Sequence, residues 1–341
     1  MARTSVLLIT GAGGEIGHGL IHRLSEEGTH NLVALDIHEL HPALAERCTE
    51  AMQGSITDTA LLDGLAERYE IGGIIHLAAM LSSSGERNPE RAHEVNVQGT
   101  LNLLGLAAGS AARREQNVPF LFPSSIAVYG LESVGAKEAA GRVREEEYLE
   151  PITMYGVNKL ACEHLGRYYS THYRMLAPDR SPWRVDFRSL RFPGLISADT
   201  VPSGGTSDFA PEMLHAAARG EHYPCFARPD TRIPFMAMPD ALDAILTLMA
   251  APEQGLTRRV YNVGGFAPTA QEVYDRTLRS FPSASVSWEI DARRQGILDS
   301  WPADVDDNRA RADWGYAPRY DFERAFEEYL LPAITRRYAE A

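Results

Sequence analysis

The sequence predicts a doubly wound α/β fold, a parallel sheet with helices on both faces, joined to a smaller C-terminal substrate domain. Three observations carry this. Compact apolar runs alternate with stretches of helical period over the first 130 residues. A glycine-rich turn follows the first apolar run, and an aspartate ends the second. Continuous apolar strands separated by helices describe strands buried on both faces, as in a parallel sheet.

The elements follow in order. Ser5 to Thr10 is an apolar strand that ends in glycines, and Leu20, Ile21 and Leu24 mark the helix after it. Asn31 to Asp36 and Glu50 to Gln53 read as strands, Thr57 to Arg68 as a helix, and Gly72 to Leu77 as a strand. A long helix is expected over Pro89 to Ala108, a strand over Pro119 to Pro123, one helix over Pro151 to Tyr173 and a strand over Val185 to Leu190. Met175 to Trp183 carries two prolines and is expected as a surface loop insertion. Beyond 193 the period weakens. Residues 193–235 are rich in Pro, Gly, Ser, Thr and Asp, and short helices are expected at 239–251 and 269–280. The domains are therefore drawn as 1–192 for dinucleotide binding and 193–341 mainly for substrate, with some segments returning to the sheet.

Composition narrows the function. Of 341 residues 44% are hydrophobic and 23% charged, the balance of a globular protein with a sizeable core. A formal net charge of −13 argues against nucleic acid and anionic membranes as partners. No apolar run approaches the roughly 18 residues of a membrane span, and the N-terminus lacks a signal-peptide pattern. Three widely spaced cysteines, Cys48, Cys162 and Cys225, fit a reducing cytoplasm and no cysteine zinc site. The histidines form no metal-ligand spacing, so no metal is expected.

The turn T-G-A-G-G-E-I-G places Gly11, Gly14 and Gly17 between strand and helix. Glycines let the backbone approach a pyrophosphate, whose charge meets N–H groups at the helix N-terminus, here Glu15 and Ile16. Asp36 lies 19 residues past Gly17 and can accept both ribose hydroxyls. It would repel a 2′-phosphate, and no arginine follows it, so NAD is expected over NADP. Further on, Tyr155 and Lys159 stand four apart in Y-G-V-N-K, which puts them on one helix face. A phenolate can take a hydroxyl proton, and a nearby ammonium would lower a phenol pKa that is ordinarily near 10. Ser124 and Ser125 both stand where a hydroxyl could orient a substrate oxygen.

With these motifs in order, together with H-L-A-A at 76–79 and P-S-S-I-A-V-Y-G at 123–130, the chain resembles the extended short-chain dehydrogenase/reductase (NAD-dependent epimerase/dehydratase) family over nearly its whole length. The resemblance implies a Rossmann-type fold and an NAD-dependent dehydrogenase. It implies Ser125, Tyr155 and Lys159 as catalytic residues, with Lys159 also on the nicotinamide ribose. It places Leu77, Ala78, Ala79 and Met80 along the cofactor and Pro193 near its carboxamide. The family's aspartate is replaced by Ser55, so the adenine contact falls to Ser55 or the Ile56 backbone. Asn96 matches a family asparagine, and a structural hydrogen bond is expected of it.

The substrate half reads L-R-F-P-G-L-I-S-A-D-T at 190–200, without the asparagine usual in nucleotide-sugar enzymes. It resembles instead the short-chain type of L-threonine 3-dehydrogenases, through P-S-G-G-T-S-D-F-A at 202–210, P-D-T-R-I-P-F-M at 229–236 and D-S-W-P at 299–302. Threonine is a small zwitterion with a β-hydroxyl. Ser82, Thr206 and the Gly204–Gly205 backbone are expected at its carboxylate, and Trp301 is expected to close the pocket. A nucleotide-sugar epimerase or dehydratase, a dehydrogenase of another small β-hydroxy acid and a non-catalytic NAD-sensing protein are the alternatives. The resemblance also implies a homodimer through the helices at 89–108 and 151–173. A cytoplasmic location, a small-molecule substrate and no nucleic-acid or membrane partner complete the expectations.

Overall fold

A computed structural model describes residues 3–28, 30–198, 200–202 and 204–339. Its centre is a seven-stranded parallel sheet. The strands are β1 (Thr4–Thr10), β2 (Leu32–Asp36), β3 (Glu50–Gln53), β4 (Tyr69–His76), β5 (Val118–Ser125), β6 (Val185–Phe192) and β7 (Val260–Asn262). Their spatial order is β7-β6-β5-β4-β1-β2-β3. β1 pairs in parallel with both β2 and β4, so the order reverses between β1 and β4. In open α/β sheets ligands bind at the carboxyl ends of strands at such a switch point.

The chain divides into two compact units. The first holds the chain up to Ser124, Val157–Leu190 and Ile245–Val260; the second holds Ser125–Gly156, Arg191–Ala244 and Tyr261 onward. Residues 125–156 thus group with the second unit and 245–260 with the first, where the sequence reading drew its line at 192.

In the first unit the core is built from Val6, Leu8, Val33, Ile74, Leu104, Phe120 and Phe187, all buried. Helix α1 (Glu15–Glu27) ends at Gly28, whose φ of +64° lets its N–H cap the Leu24 carbonyl. Helix α2 (Thr59–Arg68) starts on Asp58, whose carboxylate accepts the Leu61 N–H. The expected long helix from Pro89 is in fact three pieces: Pro89–His93, a π-turn over Glu94–Gln98, and α3 (Gly99–Arg114). The π-turn holds Asn96, which is buried and pairs with the Met80 backbone in both directions, accepting its N–H at 2.7 Å and donating to its carbonyl at 3.0 Å. An extra residue in one turn is a recurrent way to aim a side chain at a functional site.

Helix α4 (Met154–Thr171) is shorter at its start than the period of the sequence suggests. The Thr153 hydroxyl accepts the Gly156 N–H, an N-cap that places Pro151 and Ile152 outside the helix. The segment 175–183 has no helix or strand, and Leu176 is 92% exposed.

The second unit holds elements that the sequence did not announce. Three two-stranded parallel pairs join Gly194–Ile196 to Phe235–Ala237, His222–Cys225 to Ser285–Trp288, and Arg142–Val143 to Asp304–Val305. Helices α5 (Phe209–Arg219) and α6 (Ala292–Ser300) belong here, and Phe209 packs edge-on against both Phe226 and Phe235. No helix among the described residues is long and apolar enough to cross a membrane.

Candidate active site

The first unit carries the phosphate turn. Gly11 has φ +68°, and a Cβ there would lie 2.5 Å from the Ala78 nitrogen. The turn therefore needs glycine for its conformation and for its approach to the chain beyond β4. The Leu77 N–H donates to the Thr10 carbonyl at 2.9 Å, which seats Leu77 and Ala78 beside that turn. Gly14 is the N-cap of α1 and makes no side-chain cap bond; Glu15 and Ile16 open the helix, and Gly17 packs against the Ala12 backbone. Ala79 and Met80 continue half-buried from β4, with Met80 held by Asn96. Asp36 accepts the Gly13 N–H at 2.9 Å and the His38 N–H at 3.0 Å, so its carboxylate is fixed at the mouth of the turn. A cradle that a Cβ would fill, next to an oriented carboxylate, fits the pyrophosphate and ribose of NAD. Ser55 is turned onto its own segment, 2.8 Å from the Thr57 hydroxyl, and Ile56 gives its carbonyl to Asn102.

A buried polar cluster lies at the end of β5. Lys159 donates to the Pro123 carbonyl at 2.6 Å, with its ammonium 4.4 Å from the Phe122 ring centre. Burial brings its pKa down to about 8, opposed by Cys162 and Glu163. The Ser124 hydroxyl donates to Glu163 at 2.5 Å. His76 sits between the Thr10 hydroxyl at 2.8 Å and the Thr100 hydroxyl at 2.9 Å. Burial, then the Lys159 charge, lowers its pKa to about 3, so it is a neutral packing residue.

The second unit carries Ser125 and Tyr155, whose hydroxyls are hydrogen-bonded. Ser125 also accepts the Ala127 N–H at 3.1 Å, which fixes its side chain at the strand end. The two serines left open by the sequence are thus separated: Ser124 is engaged by Glu163 and Ser125 by Tyr155. One expectation is corrected. The phenol of Tyr155 is not lowered; burial raises it well above its ordinary value, and the Ser125 hydrogen bond opposes this only in part.

The expected substrate residues are distributed. Ser82 opens the short helix Ser82–Arg87 in the first unit. Pro193, Thr206 and Trp301 are buried in the second unit. The Gly205 N–H donates to the Asp208 carboxylate at 2.6 Å, so this donor, expected at a substrate carboxylate, serves the turn itself. Sequence reasoning missed Glu163. Its place four residues after Lys159, on the same helix face, was the available signal.

The model of the NAD dependent epimerase/dehydratase family matches residues 7–264. The chain belongs to that family. It is an enzyme, an oxidoreductase, and its cofactor is NAD. A mitochondrial L-threonine 3-dehydrogenase from Bos taurus is 35% identical over 318 residues, covering 93% of this chain and 79% of the relative. A GalE-like L-threonine dehydrogenase from Cupriavidus necator in its holo form superimposes with a TM-score of 0.82 at 34% identity, over 98% of this chain and 99% of that one. A monomeric L-threonine 3-dehydrogenase from a metagenome gives 0.83 at 33%, over 98% and 100%.

Proposed function

We propose that the protein oxidises the β-hydroxyl of L-threonine, giving 2-amino-3-oxobutyrate, NADH and a proton. The hydrogen-bonded Ser125–Tyr155 pair is the observation that carries this reading. The substrate half, which resembles L-threonine 3-dehydrogenases, and the relatives that bear that name support threonine as the substrate. NAD, when bound, supplies the acceptor for the hydride that leaves the β-carbon. Ser125 holds the alcohol oxygen, and the Tyr155 phenolate takes its proton. Lys159 holds the nicotinamide ribose and favours the phenolate. An ammonium has three donors, so the bond to Pro123 is compatible with that role. Asp36 selects the unphosphorylated ribose, and Ser82, Thr206 and Trp301 form the substrate's surroundings. A homodimer through the helices at 89–108 and 151–173 is part of the proposal, and on α4 Val157 and Tyr168 are exposed. Light scattering at twice the 37.6 kDa chain mass would support it, and the monomer mass would refute it.

The test is NADH formation at 340 nm with L-threonine, L-allo-threonine, L-serine and 3-hydroxybutyrate, with NADP as control. Turnover on L-threonine with NAD is expected. Tyr155→Phe should lower kcat about 10²- to 10⁴-fold while NAD binding persists. Silence on the whole panel by a protein that binds NAD would overturn the substrate, and a Tyr155→Phe enzyme of near wild-type rate would overturn the mechanism.

A further inference from the structure

Helix α6 joins two stretches proposed above to surround the substrate. Its last turn leads into Trp301, and it is firmly pinned there. Lys137 donates to the Leu298 carbonyl at 2.8 Å, and the Leu131 N–H donates to the Ser300 carbonyl at 2.8 Å. Arg228 grips the Asp299 carboxylate with two bonds, of 2.8 and 2.9 Å. The first turn reaches the other stretch through one side chain. Arg294 donates from Nη2 to the Gly205 carbonyl at 2.6 Å, while its guanidinium lies on the Phe226 ring, 3.1 Å from the centre. The same carbonyl accepts the Asp208 N–H at 3.2 Å. The turn is therefore closed from inside by Asp208 and from outside by Arg294.

We propose that Arg294 is a positioning residue, which sets the Gly204–Asp208 turn so that Thr206 meets the carboxylate of the substrate. The inference rests on the threonine reading. A planar guanidinium stacked on an aromatic ring gives a directed hydrogen bond with little remaining freedom. The backbone of the turn is thereby tied to the helix that carries Trp301, and the spacing of Thr206 and Trp301 follows from one rigid element. Arg294 touches neither substrate nor cofactor in this account.

The test compares L-threonine with 1-amino-2-propanol, the same amino alcohol without the carboxylate. In Arg294→Ala the preference for L-threonine, as a ratio of kcat/KM values, is expected to fall about tenfold through KM, with kcat little changed. Arg294→Lys should recover part of the preference, because lysine can donate but cannot stack flat. Adding Thr206→Val to Arg294→Ala should cost less than the two losses combined, since both act on one contact. A far-UV circular dichroism spectrum and melting profile like those of the wild type show that each variant is folded. An unchanged preference in Arg294→Ala, a loss equal for both substrates, or full additivity with Thr206→Val overturns the inference. A wild-type protein inactive on L-threonine overturns the underlying reading and the inference with it.

Discussion

Two buried titratable side chains respond to burial in opposite directions, and each shift has a measurable consequence. His76 is depressed to about 3, against 6.5 for the free imidazole. A depressed basic group stabilises the fold above its unfolded pKa, and that stability is lost as the pH falls toward the folded value. Between pH 7 and pH 5 this amounts to about 2 kcal/mol. Urea unfolding at the two pH values should show this loss in the wild type, and a smaller one in His76→Gln. Equal losses in both would mean that His76 is not the group responsible. Tyr155 is raised by burial, so its base form gains as the pH rises. At saturating NAD, log kcat/KM should climb with a slope near one toward alkaline pH, and Lys159→Met should move that limb to still higher pH. A limb that stays put in Lys159→Met would remove the lysine from the tuning of the base. The spacing put Tyr155 and Lys159 on one helix face, and the family resemblance singled out Ser125 and the expected roles, but the state of the phenol was not legible. It depends on burial, which no local pattern encodes.

At the scale of elements, legibility followed length and period. Six of the seven sheet strands and α4 were visible because apolar runs and i,i+4 spacing persist over several residues, whereas β7, three residues long, was not read from the sequence. The three short strand pairs of the second unit have two to four residues each, too few for a period to show. The π-turn at Glu94–Gln98 was also hidden, since a buried asparagine inside a helical pattern does not reveal its partner. Helix α4 offers the element-level prediction. Gly156 follows Tyr155, and a Cβ there would run into the Ala127 carbonyl just beyond Ser125. Gly156→Ala must therefore move the start of the helix away from the serine. A fall in kcat of at least about tenfold, with NAD affinity preserved, is expected. Unchanged kcat would show that the pair tolerates displacement.

At the scale of the whole molecule, the binding of NAD should appear as stability. A ligand that binds only the folded chain adds RT ln(1 + [L]/Kd), about 2.7 kcal/mol at a hundredfold excess over Kd. For a chain of 341 residues this corresponds to a rise in Tm of about 4 °C. NADP at the same concentration should give a much smaller rise. The Asp36 carboxylate, fixed by the Gly13 and His38 N–H groups, cannot swing away from a 2′-phosphate without losing both bonds. Asp36→Ser should narrow the difference between the two cofactors, chiefly by weakening the response to NAD. The same experiment examines the division of the chain. The phosphate turn and Asp36 lie in the first unit, whereas Ser125 and Tyr155 lie in the second. If calorimetry with NAD shifts a single transition, both units unfold together and the ligand stabilises the second through the first. If it shifts one of two transitions, NAD acts on the first unit alone, and Tyr155, the proposed base, sits in a part of the chain that the cofactor does not stabilise.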